Sequence, residues 1–83
     1  MARVAKVAIK VTGAQAETMR YALMDYAQGL IDGWNAVEPK DTWEGTWMAH
    51  QVNNVNECLK AMGASPYFEN ELNAFIKSHG IEL

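Results

Sequence analysis

Hydrophobic and polar positions alternate at two different periods along this chain. In residues 3–12, Ala5, Val7, Ile9 and Val11 interleave with Lys6, Ala8, Lys10 and Thr12, a period of two rich in β-branched side chains, which suits a pleated strand. A helical face competes for the same stretch, since Val4, Val7 and Val11 also align, as do Arg3, Lys6 and Lys10. The strand is the favoured reading. It needs a neighbour for its backbone groups: the tail Gly80–Leu83, the segment Thr42–Trp47, or the same strand of a second copy.

From Thr12 onward the period lengthens. Thr12-Gly13-Ala14-Gln15 has the spacing of a capping box, in which threonine and glutamine each satisfy the other's free amide. Beyond it, Ala16, Met19, Leu23, Tyr26, Leu30, Trp34 and Val37 recur at intervals of three and four, one apolar stripe of a helix over about 14–36. Gly29 and Gly33 each cost such a helix about 1 kcal/mol relative to alanine. They imply either a close helix–helix crossing or the helix end. Pro39 stops it in any case.

A second helix is predicted over about 43–62, started at Asp41-Thr42 or at Thr46, with Met48, Val52, Val55, Leu59 and Met62 as its core stripe and Gly63 as its left-handed cap. Asn53, Asn54 and Asn56 are poor helix formers and are expected on its solvent or contact face. Ser65-Pro66 reads as the start of a third helix over about 66–79, with serine as cap and proline in the first turn. Phe68, Leu72, Phe75 and Ile76 form its core face, Gly80 ends it, and Ile81 folds back on its last turn. The expected fold is mainly α, or α+β if the strand is paired: a small three-helix bundle preceded by one strand, in the order β-α-α-α, as a single domain over 1–83.

Composition narrows the function classes. The chain has 83 residues, 49% hydrophobic and 20% charged, an ordinary globular balance. A core of this size supplies only about 3–5 kcal/mol of net stability. Cys58 is the one cysteine, so no internal disulfide assists. Self-association or a partner then becomes a way to complete the core. Arg3, Lys6 and Lys10 interrupt the N-terminal apolar stretch, which leaves no signal segment, and no apolar run is long enough for a membrane span. A cytoplasmic protein without membrane association is expected.

Net charge is −3, which disfavours phosphate backbones and makes nucleic acid an improbable main ligand. Five acids, Asp25, Asp32, Glu38, Asp41 and Glu44, face the single base Lys40 between positions 25 and 44. The last two helices resemble a helix-turn-helix in outline, but the second carries Glu69 and Glu71 where a phosphate-facing surface needs cations.

Catalytic patterns fail on spacing. His50 and Cys58 stand about 12 Å apart along a helix axis, too far for a Cys–His pair or one zinc ion. A buried thiol and a surface histidine are expected instead. The acidic segment lacks calcium-loop spacing, and the glycine pair lacks the lysine of a phosphate loop. No cofactor, metal or enzymatic activity is expected.

The three tryptophans, Trp34, Trp43 and Trp47, fall within fourteen positions. Aromatic residues at helical spacing usually belong to a core. Their clustering among acids nevertheless points to an interaction surface, since tryptophan is enriched at interface hot spots. The expected partner-binding residues are Trp43, Trp47, Asp41, Glu44, Glu38 and Trp34, with Asn53, Asn54 and Asn56 as a secondary contact. On this reading Trp43 is more exposed than Trp34. The expected function is a non-enzymatic acidic regulator or inhibitor, of a kind common among phages and other mobile elements, that binds a basic partner protein. The alternatives are a homodimer pairing N-terminal strands, or a weak nucleic-acid-associated protein using the basic N-terminus.

Overall fold

Thr12 and Gln15 set the start of the first helix by capping one another. The Thr12 N–H donates to Gln15 Oε1 (3.0 Å) and the Gln15 N–H to Thr12 Oγ1 (3.1 Å), so the box fills two of the amides that a helix start leaves open. The computed structural model describes residues 8–36 and 42–82. Among them are three helices: α1 (Gly13–Ala36), α2 (Thr42–Ala61) and α3 (Glu69–His79).

Residues 8–12 carry no regular secondary structure, and the rest of the predicted strand lies outside the described residues. Thr42–Trp47, one of its suggested pairing partners, is helical. A second, the tail, already commits the Ile81 N–H to Ile76 O (3.0 Å).

The core is organised around α2. Met48, Ala49, Val52, Val55 and Leu59 are buried on one broad face, at the three- and four-residue spacing expected of such a stripe. Fully burying a side chain such as Leu59 contributes about 1.5–3 kcal/mol. From α1, Ala27 is fully buried, and Leu23, Met24, Leu30, Ile31 and Trp34 pack around it. This face is rotated slightly from the expected stripe: Tyr26 is exposed, while Met24, Ala27 and Ile31 face inward. Ala27 and Ala49, both fully buried, are small residues that let the backbones of α1 and α2 approach.

The α2–α3 connection is a Schellman cap. Gly63, at φ 77°, lets the Ala64 N–H reach Leu59 O (2.8 Å) and its own N–H reach Lys60 O (3.0 Å). The third helix then starts at Glu69, three residues later than Ser65-Pro66 suggests. The Tyr67 N–H donates to Asn56 Oδ1 on α2 (2.7 Å), and Phe68 takes the left-handed conformation φ 59°, ψ 32°, which no right-handed helix continues through. At the far end Gly80, also left-handed, ends α3, and Ile81 packs back against the core.

No helix among the described residues is long and apolar enough to cross a membrane.

Candidate functional site: a tryptophan-walled groove

An opening lies between α1 and the first turns of α2. It is an open groove of about 590 Å³ lined by Gly29, Leu30, Gly33 and Trp34 from α1 and by Trp43, Glu44, Trp47 and Met48 from α2. Both sides follow from four-residue spacing. Gly29 and Gly33 are one helical turn apart, as are Trp43 and Trp47, so each pair shares a face. A Cβ built on either glycine meets nothing within 4 Å. The glycines therefore leave bare backbone on the groove's floor, rather than marking a helix crossing or the helix end.

The three indoles divide in role. Trp43 is 70% exposed and Trp47 44%, while Trp34 is half-buried against the core. The Trp34 ring meets Phe75 edge-to-face, with centroids 5.5 Å apart and planes at 90°, and lies edge-on to His79 at 6.2 Å. Gly45 makes this position possible. A Cβ there would stand 2.8 Å from Trp34 Cη2 and 3.3 Å from Phe75 Cζ. The sequence shows Gly45 in an acidic, tryptophan-rich stretch, but nothing in it signals that an indole rests on that glycine.

Of the residues expected at the site, Trp34, Trp43, Glu44 and Trp47 come together along the groove. Glu38 and Asp41 lie outside the described residues. The three asparagines do not form a face. Asn54 is exposed, and half-buried Asn53 donates through Nδ2 to Glu57 Oε1 (3.3 Å). Asn56 is only 4% exposed; its Oδ1 holds the Tyr67 amide, and its Nδ2 is buried without a partner among the described residues. The expectation for Asn56 is corrected: it is one residue from Val55 on the inward side of α2, and its carbonyl fastens the α2–α3 turn.

Chemistry-bearing groups elsewhere stay apart. Cys58 is exposed rather than buried, because the core stripe of α2 passes through Val55, Asn56 and Leu59 and leaves position 58 outside it. His79 stacks on Phe75 (centroids 4.1 Å, 24° between planes), with Nδ1 3.0 Å from Phe75 O. Among the described residues no group of His, Cys, Asp or Glu could hold a metal ion. Of the basic trio, Lys10 is exposed, and Arg3 and Lys6 lie outside the described residues. Comparisons with protein-family models, with curated proteins and with solved structures each find no match.

Proposed function

We propose that this protein is a non-enzymatic interaction module, a regulator or inhibitor, that binds a partner protein with a basic surface through the groove between α1 and α2. The observation that carries the reading is the exposure of Trp43 and Trp47 beside a glycine floor with open space above it. An indole that a small core leaves outside is a large apolar surface in contact with water. Covering it buries a large area while fixing few rotamers, which is why tryptophan anchors interfaces. Glu44 supplies one carboxylate at the groove. The net charge of −3 favours approach of a cationic surface. Glu38 and Asp41, close by in the sequence, add two more carboxylates to the proposed contact.

The test is affinity capture from the native lysate with the wild-type chain and a Trp43→Ala/Trp47→Ala double variant side by side. The expected result is a basic protein held by the wild type and released by the variant, with helical circular dichroism unchanged. Retention of the same protein by a folded double variant would remove the groove from the interaction.

A further inference from the structure

A second cavity lies where all three helices converge, and it differs from the groove in shape and in chemistry. This cleft, of about 170 Å³, is lined by apolar side chains of α1 (Ile31, Trp34), α2 (Met48, Val52) and α3 (Leu72, Phe75), with Phe68 beside them. Two polar residues complete the lining, Asn35 and Glu71, and both are exposed. The Glu71 carboxylate has no hydrogen-bond or ion-pair partner among the described residues.

Size and chemistry together limit what fits. A dry cavity of about 150 Å³ accepts benzene, so this cleft takes one six-membered ring with a short arm. The apolar lining, with Trp34 and Phe75 in it, suits an aromatic guest. An unpaired carboxylate on an apolar cleft selects a cation and repels an anion, and the negative field of the chain acts in the same sense. Phe68 adds an independent sign. Its left-handed backbone costs a non-glycine residue about 1–2 kcal/mol, and it is held there by the Asn56–Tyr67 hydrogen bond and by stacking on Tyr67 (5.8 Å, 25°). Such strain concentrates at ligand sites, where the surroundings fix a conformation the residue alone would leave.

We infer that this cleft is a binding site for a small aryl-alkyl amine, its ring among Ile31, Val52, Leu72 and Phe75 and its ammonium group on Glu71 and Asn35. This site does not rest on the proposed partner groove, although Trp34 and Met48 line both.

The full-length chain is titrated with 2-phenylethylamine, 2-phenylethanol and 3-phenylpropanoate, followed by amide chemical shifts. Saturable shifts at Ile31, Asn35 and Leu72 are expected for the amine, with a dissociation constant on the order of 1 mM, typical of a fragment with so few atoms. The alcohol should bind more weakly and the acid least. Glu71→Gln, at an exposed position, should weaken the amine about three- to fivefold and leave the alcohol unchanged. Equal affinities for the three probes, or an amine affinity unchanged in Glu71→Gln, would overturn the assignment. So would shifts centred on Gly29 and Trp47, or no saturation by about 10 mM.

Discussion

Three glycines on the helices illustrate opposite roles of the same residue type. At Gly45 a methyl group would press on Trp34 and Phe75, and the edge-to-face contact with Phe75 hinders the indole from swinging away. Gly45→Ala gains up to about 1 kcal/mol of helix propensity but incurs an overpacking cost of about 1–3 kcal/mol. The expected net is a loss of stability, read as a lower urea midpoint. Pairing it with Trp34→Phe, which withdraws the contacting atoms, should restore part of that loss. Gly29 and Gly33 behave the other way. With open space around each Cβ, alanine should stabilise by about 0.5–1 kcal/mol per site, raising the melting temperature by roughly 4–8 °C per kcal/mol in a domain of this size. The same methyl groups would raise the groove's floor. A variant that melts later but captures less of its partner is the expected signature of glycines retained for a surface rather than for a fold.

At the scale of elements, local signals were legible and long-range ones were not. The capping box at Thr12–Gln15 is written in four adjacent positions, and its two hydrogen bonds are present. Thr12→Ala should cost about 1 kcal/mol, seen as reduced helicity and an earlier thermal transition. The Gly63 and Gly80 caps were equally readable, because a left-handed residue after an apolar stripe has few other meanings. The start of α3 was not. It is delayed by a hydrogen bond from Tyr67 to Asn56, eleven positions earlier, and no inspection of Ser65-Pro66 reveals that partner. Asn56→Ala strands the Tyr67 amide, and a loss of about 1–3 kcal/mol is expected in denaturant unfolding. The misplacement of Asn56 and Cys58 has a related cause. The buried face of α2 takes in Ala49 and Asn56 beside the apolar stripe, and hydrophobicity alone does not reveal a polar residue that turns inward to hold a turn. In the candidate site, the tryptophans and Glu44 were identifiable from clustering and charge. The glycine floor and the division of roles among the indoles emerge only when α1 lies against α2.

For the whole molecule, α2 is the spine. It packs against both other helices, whereas no Cα of α1 comes within 8 Å of one in α3. The first and third helices meet through side chains, notably Trp34 on Phe75, and the α2–α3 connection is tied to α1 by the Tyr67 hydroxyl, which donates to Gln28 Oε1 (2.6 Å). Stability should therefore be uneven. Amides of α2 around Val52–Leu59 are expected to exchange only through global unfolding, and those of α3 through a cheaper partial opening. Native-state hydrogen exchange would show two classes of protection. A single class spanning α2 and α3 would mean that the side-chain contacts couple the helices more tightly than their backbone separation suggests.

Trp34 and Met48 line both cavities, so the groove and the cleft share a party wall. An occupant that displaces this wall from one side alters the room on the other. Thermodynamic linkage makes any such influence reciprocal: whatever factor a small guest imposes on the affinity of a macromolecular one, it receives in return. Two binding events in so small a chain would then form one equilibrium with a single coupling constant, set by how far one indole, wedged against a glycine, can yield.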